Sequence, residues 1–321
     1  MRPVVVIHGG AGAITKEYCD AALEATIRQA LRRAVDEAWR LLVEGKTATD
    51  AVIAATMVME DDANFNAGKG SVFSRTGVNE MDAGIADGRT GKVGGCSLVR
   101  TVRNPILLAK AIMTETSHSL LAGPAADQLA ESYNIPCVDD VTYFKSEFRW
   151  NQLQAWLQQR SKESQLDHMT IPVKPRPDQP GPDQGATGTV GAVALDMEGN
   201  LASCSSTGGM TGRMEGRVSD SSVAGAGFYA DQRLAVSMTG NGDAFIRVSA
   251  AQSVAARVMF GNMTLEAACD DLVFGELRDT STGLIALDCD GNWTMPYNTF
   301  GMYRAYRIPT ETEPKVFIWD Y

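Results

Sequence analysis

Apolar residues recur at helical spacing in the first half of the chain and in short β-type runs in the second half. A helix predicted over residues 18–44 carries one apolar stripe, formed by Ile27, Leu31, Val35, Ala38 and Leu42. Start and stop signals predict further helices over residues 47–60, 104–114, 125–133 and 146–161. Strands are predicted over residues 3–8, 71–74, 80–86 and 93–99.

Beyond residue 188 the pattern is mainly that of strands. They are predicted over residues 189–195, 201–206, 234–238, 284–288, 293–297 and 316–319. Two helices are predicted between them, over residues 244–259 and 265–276. Antiparallel runs of strands with helices grouped between them favour a layered α+β fold over alternating β-α units.

A segment between the two halves lacks the apolar residues that a packed structure needs. Residues 171–188 (IPVKPRPDQPGPDQGATG) contain five Pro, and Gly, Asp and Gln fill much of the remainder. The segment ends at Gly188, and Thr189 opens a predicted core strand. This arrangement predicts cleavage between Gly188 and Thr189, which would make Thr189 a new N-terminus.

Composition and charge limit the classes of partner. Of the 321 residues, 44% are hydrophobic and 21% are charged, with a net charge of −10. This charge disfavours nucleic acid and anionic membranes, because both would repel the protein. No apolar run is long enough to span a bilayer. The first apolar run stops at His8, too early for a signal peptide, which predicts a cytoplasmic protein.

Several catalytic machineries lack their residues. The chain has three histidines, and it contains no HExxH or paired-cysteine motif, which argues against a catalytic zinc ion. It has no GxSxG motif, and a Ser-His-Asp triad would have to use His8 or His118 without a supporting pattern. Residues 9–12 (GGAG) lack the spacing of a phosphate loop, so they predict a tight turn beside a site.

Threonine and glycine recur at the predicted strand ends, namely Thr189, residues 207–209 (TGG) and residues 239–242 (TGNG). Glycines there let main-chain N–H groups approach a ligand closely, as in an oxyanion hole. An N-terminal threonine carries a hydroxyl and an α-amine whose pKa is about 7.7–8.0, so the amine can accept the hydroxyl proton near neutral pH. Nucleophile and base then belong to one residue, and no histidine is needed.

Matching stretches relate the chain to one known family in order and spacing. They are residues 7–12, 64–70, 81–82, 87–88, 103–105, 188–196, 206–210, 216–217, 239–242 and 298–303. The chain resembles the plant-type L-asparaginases, or isoaspartyl peptidases, which are N-terminal-nucleophile hydrolases. The resemblance implies a four-layer αββα sandwich formed as one domain by an α subunit (1–188, with a mobile linker over about 162–188) and a β subunit (189–321). It also implies an (αβ)2 assembly.

The resemblance further implies a role for each residue of the catalytic centre. Thr189 looks like the nucleophile, and Thr207 looks like the hydroxyl that hydrogen-bonds to it. Thr239 and Gly240 look like the oxyanion hole. Asn66 would lie behind the nucleophile.

Substrate binding is implied for four residues. Arg217 would bind the α-carboxylate of the substrate, which suits a bidentate guanidinium, and Asp220 would bind the α-ammonium group. The Gly242 carbonyl would assist, beside Gly240 of the oxyanion hole. Without the resemblance, a weak surface ion pair is the favoured interpretation of Arg217 and Asp220.

A loop near residue 60 is implied as an ion site. In the family this loop binds sodium through main-chain oxygens, which here would belong to Met59, Glu60, Asp62, Phe65, Ala67 and Lys69. No cofactor is implied for catalysis. The sequence departs from the family pattern at Ser219, where glycine is usual, and at Met214-Glu215, where Lys-Pro or Leu-Pro is usual.

The implied activity is hydrolysis of β-aspartyl dipeptides and L-asparagine through a β-aspartyl ester on Thr189. Glycosylasparaginase is an alternative on the same scaffold, although its branch typically has Asp-Thr-Ile/Val where this chain has residues 188–190 (GTV). The threonine endopeptidase branch normally carries a longer chain before its nucleophile. An uncleaved, non-catalytic homologue that binds an amino acid is an alternative of another class, and the intact site residues argue against it.

Overall fold

The structure, a computed structural model, describes residues 3–17, 19–166 and 188–319. The strands in this part of the chain are β1 (Val4–Gly12), β2 (Met81–Asp87), β3 (Lys92–Val99), β4 (Leu120–Ala122), β5 (Val190–Leu195), β6 (Leu201–Thr207), β7 (Phe228–Ala230), β8 (Leu234–Gly240), β9 (Thr282–Asp288), β10 (Trp293–Thr294), β11 (Gly301–Arg307) and β12 (Lys315–Phe317). They form an eight-stranded sheet in the order β12-β11-β1-β5-β6-β2-β3-β4 and a four-stranded sheet in the order β10-β9-β8-β7. Only the β3–β4 pair among these is parallel, so the large sheet is mixed.

The helices are α1 (Ala21–Val43), α2 (Ala48–Glu60), α3 (Pro105–Glu115), α4 (Pro124–Ser132), α5 (Glu147–Leu166), α6 (Gly242–Val248), α7 (Ala250–Gly261) and α8 (Leu265–Asp270), the last continuing as a π-helical turn over Asp271–Glu276. Local signals set several of their starts. The Asp20 carboxylate accepts from the Leu23 N–H at the start of α1, and the Thr47 hydroxyl accepts from the Asp50 N–H at the start of α2. No helix in the described ranges is long and apolar enough to cross a membrane.

Both faces of the large sheet are covered. Val5 and Ile7 of β1 point into a core shared with α1, α2 and α3, whereas Val4 and Val6 point into a core shared with the small sheet. The outer face of the small sheet packs against α6, α7 and α8 in a third core. The predicted α+β class is therefore confirmed, and the strand ends near Thr189 lie between two covered sheets.

Strand β1 continues through the glycines that predicted a tight turn, so that prediction was wrong. Its ladder with β11 is shifted between His8 and Gly10, where the strand bulges. A Cβ atom on Gly9 would meet the ring of Phe65 at 2.6 Å, and one on Gly10 would meet the main chain of Gly188 at the same distance. These glycines permit close approach within a strand, where the sequence pattern indicated a reversal of the chain.

Two predicted strands and one predicted helix also differ from the structure. Residues 71–74 do not form a strand, because their pairing is limited to an isolated bridge at Ser74. The helix predicted over residues 244–259 is two helices, since Ser249 between them has a left-handed backbone with φ of 49°. The strand predicted over residues 293–297 is reduced to the two residues of β10.

Helix α5 overlaps the start of the predicted linker. Helix α5 extends to Leu166, so residues 162–166 are helical. The remainder of the predicted linker, residues 167–187, lies outside the described residues. The division into subunits of residues 1–188 and 189–321 stays a prediction.

Candidate active site

Thr189 lies immediately before β5, near the middle of the large sheet, and is 5% exposed. Its Oγ1 is 3.3 Å from the Oγ of Ser221. Its main-chain carbonyl accepts a hydrogen bond of 2.9 Å from Nδ1 of His8 on β1. The hydroxyl and the main chain of Thr189 thus each contact a residue that is distant in sequence.

Gly188 is enclosed by the main chain of β1 and the end of β8. A Cβ atom on Gly10 would meet the nitrogen of Gly188 at 2.6 Å. A Cβ atom on Gly188 would itself meet Oγ1 of Thr239 at 2.6 Å. The bond between Gly188 and Thr189 therefore lies in a space that side chains at positions 10 and 188 would fill.

Thr239 and Gly240 end β8 beside this bond. The Thr239 Oγ1 accepts a hydrogen bond of 3.1 Å from the main-chain N–H of Ala11, so its own proton is available to another acceptor. Gly240 has φ of 135°, and a Cβ atom there would collide with the main-chain oxygen of Ser281. Only glycine fits this conformation, which directs the chain from β8 into α6.

Thr207 is the last residue of β6, and Asn66, from the loop after α2, contacts the glycines that follow it. The Thr207 hydroxyl accepts from the N–H of Gly209 at 3.0 Å. The Asn66 amide donates to the Gly209 carbonyl at 2.8 Å, and its main-chain carbonyl accepts from the Gly208 N–H at 3.0 Å. Asn66 thereby holds the glycine loop after Thr207. The hydrogen bond implied between Thr207 and Thr189 stays a prediction.

Arg217 and Asp220 do not form the surface ion pair that composition alone allowed. The Arg217 Nη2 pairs with Oδ2 of Asp243 at 3.0 Å, and Asp220 is 3% exposed. Gly242 lies between them, and a Cβ atom there would collide with the Asp220 carboxyl group and come within 3.1 Å of Arg217 Nη2. Within the described structure, Arg217 Nε and Asp220 Oδ2 are both buried without a hydrogen-bond partner.

The environment of Asp220 alters its ionisation. Burial raises its pKa to about 7, and the nearby positive charge of Arg217 offsets only part of that effect. The carboxyl group is therefore partly protonated at neutral pH. A cationic group brought beside it would favour the charged form.

A buried ion pair that the sequence reasoning did not assign supports this region. Asp82 Oδ2 accepts from Nη1 of Arg213 at 2.9 Å and from the main-chain N–H of Ser219 at 3.2 Å. Its Oδ1 accepts from the N–H of Leu98 at 2.9 Å. Asp82 therefore fixes the residue that precedes Asp220. The signal in the sequence is a carboxylate that directly precedes the apolar run of residues 83–86 within a strand.

His8 was predicted as the last residue of the first strand, beside the glycine turn, and was given no catalytic role. It is fully buried, and its Nε2 is 2.9 Å from Oγ of Ser237 on β8. Burial lowers its pKa to about 3, so the imidazole is neutral over the ordinary pH range. Its two ring nitrogens face the Thr189 carbonyl and Ser237, so neither forms its hydrogen bond with the Thr189 hydroxyl.

The loop implied as an ion site is tightly folded. Carbonyls of three of its residues accept main-chain N–H bonds of 3.1 to 3.2 Å, namely Met59, Asp62 and Ala67. Gly68 has φ of 51°, and a Cβ atom on it would collide with the carbonyl oxygen of Glu60; a Cβ atom on Gly70 would collide with that of Phe65. No cluster of three or more His, Cys, Asp or Glu side chains suited to a metal occurs in the described ranges.

Two side chains of that loop point elsewhere. The Glu60 Oε1 accepts from the hydroxyl of Ser206 at 2.6 Å and from the N–H of Ile106 at 3.1 Å, and burial raises its pKa to about 8. Lys69 Nζ is 5.5 Å from the centre of the Tyr143 ring. Glu60 and Lys69 could therefore contribute only their main-chain oxygens to an ion held in this loop.

Comparisons of the sequence with known proteins show which family it is similar to. The sequence model of a family described as Asparaginase matches residues 1–317. A protein named isoaspartyl peptidase from Escherichia coli (strain K12) is 39% identical over 314 residues, covering 97% of this chain and 94% of that protein. The isoaspartyl peptidase of Salmonella typhimurium is 40% identical over 314 residues, covering 97% of each. The isoaspartyl peptidase/L-asparaginase of Xenopus laevis is 38% identical over 301 residues, covering 93% and 90%.

Proposed function

Because the chain belongs to the asparaginase family, we propose that it is an isoaspartyl peptidase/L-asparaginase in which Thr189 is the nucleophile. The substrates are β-aspartyl dipeptides and L-asparagine, which share an amide on the side-chain carbonyl of an aspartyl unit. The reaction uses the residues around Thr189 and no cofactor.

One observation carries the substrate assignment: a buried donor of Arg217 and a buried acceptor of Asp220, two residues that both approach Gly242, lack partners. Arg217 Nε can donate and Asp220 Oδ2 can accept. The α-carboxylate and α-ammonium groups of an aspartyl unit supply the matching acceptor and donors. Buried polar groups without partners are costly, so a ligand that satisfies both gains affinity and a fixed orientation. Gly242 leaves the space that such a ligand needs.

Cleavage of the chain comes first. The Thr189 Oγ1 attacks the carbonyl carbon of Gly188, the peptide nitrogen of Thr189 leaves as an amine, and water hydrolyses the resulting ester. The products are a chain that ends at Gly188 and a chain that begins at Thr189. A Cβ atom on Gly188 would contact Thr239 Oγ1, so the Thr239 hydroxyl lies beside the reacting bond. This position supports the Thr239 hydroxyl as the donor to the oxyanion that develops on the Gly188 carbonyl.

Substrate hydrolysis then repeats the chemistry on a new carbonyl. The free amine of Thr189 accepts the proton of its own hydroxyl, and Oγ1 attacks the side-chain carbonyl carbon of the substrate. The Thr239 hydroxyl and the main chain at Gly240 stabilise the oxyanion. The leaving amine receives the proton, and water hydrolyses the β-aspartyl ester to release aspartate.

Four broader features belong to the same proposal. The helical groups on the outer faces of the two sheets support a four-layer αββα sandwich. The main-chain oxygens around residues 59–69 are hard donors, and the cradle that Cβ atoms on Gly68 and Gly70 would fill suits a sodium ion with a structural role. An (αβ)2 assembly and a cytoplasmic location stay predictions.

The test compares three substrates on wild-type protein and on Thr189→Ala. β-Asp-Leu and L-asparagine should be hydrolysed by the wild type alone. If a glycosylated asparagine gave the highest kcat/KM, the glycosylasparaginase alternative would replace the proposal. Binding of aspartyl compounds without any turnover would favour the uncleaved binding homologue.

A further inference from the structure

His8 has no part in the proposed reaction, yet it contacts the main chain of the nucleophile. Its Nδ1 donates to the Thr189 carbonyl oxygen at 2.9 Å, and its Nε2 lies 2.9 Å from Ser237 Oγ. Ser237 Oγ is also 2.9 Å from Oγ of Ser205. All four residues are buried, so these hydrogen bonds have little competition from water.

The positions of the hydrogens follow from the partners. A carbonyl oxygen can only accept, so Nδ1 of His8 must carry a hydrogen. The buried imidazole is neutral, since its pKa is lowered to about 3, and Nε2 must therefore accept. The Ser237 hydroxyl, whose oxygen also lies 2.9 Å from the carbonyl oxygen of Cys204, is the group that faces Nε2, and it donates to Nε2 when its hydrogen turns from Cys204 to His8. With the hydrogen in that position, the hydrogen bonds run from Ser237 through His8 to Thr189.

This series of hydrogen bonds joins the two sheets at Thr189. His8 lies on β1 and Ser205 on β6 of the large sheet, whereas Ser237 lies on β8 of the small sheet. Gly191 of β5 leaves the necessary space, because a Cβ atom there would meet both Ser237 Oγ and His8 Nε2. The register pairs His8 directly with Gly191, and the β1–β5 ladder ends there. Beyond that pair, the His8 side chain holds the main chain of Thr189.

We propose that His8 is a positioning residue that holds the Thr189 carbonyl as a neutral Nδ1–H tautomer, with its Nε2 facing the hydroxyl of Ser237. Holding this carbonyl fixes the main chain of Thr189, from which both its amine and its hydroxyl project, and hence the position of both groups relative to Thr239 and the substrate. The inference rests on the proposed role of Thr189 as an N-terminal nucleophile.

Variants of His8 separate this role from simple filling of space. The amide of His8→Asn places an N–H donor near the position of Nδ1, whereas His8→Gln places its donor near the position of Nε2. In cleaved protein, His8→Gln should lower kcat about 100-fold with KM little changed, because a small displacement of a reacting group has that effect. His8→Asn should restore most of kcat. Equal kcat in the two variants, or losses confined to KM, would overturn the proposal.

A spectroscopic test needs no His8 variant and so does not depend on their folding. The chain has three histidines, and NMR of protein labelled with ¹⁵N-histidine distinguishes Nδ1–H, Nε2–H and imidazolium forms. At neutral pH, one ring should be a pure Nδ1–H tautomer, and Ser237→Ala should change that signal more than Ser205→Ala does. A buried ring in the Nε2–H or charged form would refute the inference. This outcome is independent of substrate turnover, so an active Thr189→Ala variant would refute the proposed function without changing the tautomer that is found for His8.

Discussion

The main-chain N–H of Ala11 donates a hydrogen bond to the hydroxyl oxygen of Thr239 over 3.1 Å. Ala11 follows the bulge in β1, and Thr239 belongs to β8 of the other sheet. Because the N–H can only donate, the hydroxyl accepts there and keeps its own hydrogen for a second oxygen. The glycine bulge thus orients a hydrogen-bond donor next to the bond between Gly188 and Thr189.

Replacement of Thr239 by valine removes this donor while keeping the shape of the side chain. We expect kcat to fall by about 10²–10³-fold with little change in KM, as for other losses of one oxyanion donor. Steady-state kinetics on β-Asp-Leu measure both parameters. Thr282→Val is a matched control, because the Thr282 hydroxyl is also buried at a strand end but donates to the Thr280 carbonyl. Similar kinetic losses in the two variants would exclude the donor role of Thr239.

The proposed role of Arg217 in binding the substrate carboxylate predicts different effects on substrate turnover and on self-cleavage. Arg217→Lys keeps the charge but loses the planar donor that Nε provides, so kcat/KM should fall at least about 100-fold. Cleavage before Thr189 should continue, because it needs no bound substrate. Arg257→Lys is the control, since Arg257 also pairs with carboxylates, those of Asp271 and Glu276, outside the site. Equal loss of turnover and self-cleavage in the Arg217 variant would contradict the assignment.

The raised pKa of Asp220 predicts how binding depends on pH. Below a pKa of about 7 the carboxyl group of the free enzyme is protonated and cannot pair with an ammonium group. For L-asparagine, kcat/KM should therefore fall about tenfold for each pH unit below that value. Succinamic acid, which lacks the α-amino group, should not show this added loss. The ratio of the two kcat/KM values cancels the titration of the Thr189 amine, and a ratio independent of pH would disprove the pairing.

The buried pair of Asp82 and Arg213 should contribute to stability. Both side chains are at most 1% exposed, so removal of one charge leaves the other buried without its main partner. Asp82→Asn and Arg213→Met should each lower the free energy of unfolding by about 3 kcal/mol. The double variant should lose less than the sum of the two, because no unpaired charge remains. Denaturant titration measures these values, and strictly additive losses would argue against the coupling.

Helices and central strands could be predicted from the sequence because local patterns determine them. The apolar stripe of α1 and the Thr47 cap of α2 are properties of short segments. Strand β11 was not predicted, because its residue Arg304 is buried at 3% exposure, with its guanidinium 4.7 Å from the centre of the Tyr297 ring. A buried arginine interrupts the alternation by which a strand is recognised.

The residues of the site likewise fall into those that sequence motifs identify and those that only the fold brings together. Thr189, Arg217 and Asp220 could be named from motifs, although their roles stay predictions. The contacts of His8 with Thr189 and of Ser221 with Thr189 could not be named, since their partners are 181 and 32 residues apart. Such contacts depend on strand order and on the bulge in β1. The sequence pattern indicated only a turn at that bulge.

The central claim is that Thr189 acts as nucleophile and base only after the chain is cut before it. Intact mass measurement and N-terminal sequencing of active protein, with activity assayed on the same sample, test this claim most directly. We expect two polypeptides, one of which begins at Thr189, and a single inactive chain for Thr189→Ala. A fully active sample that consists of the unbroken 321-residue chain would contradict it.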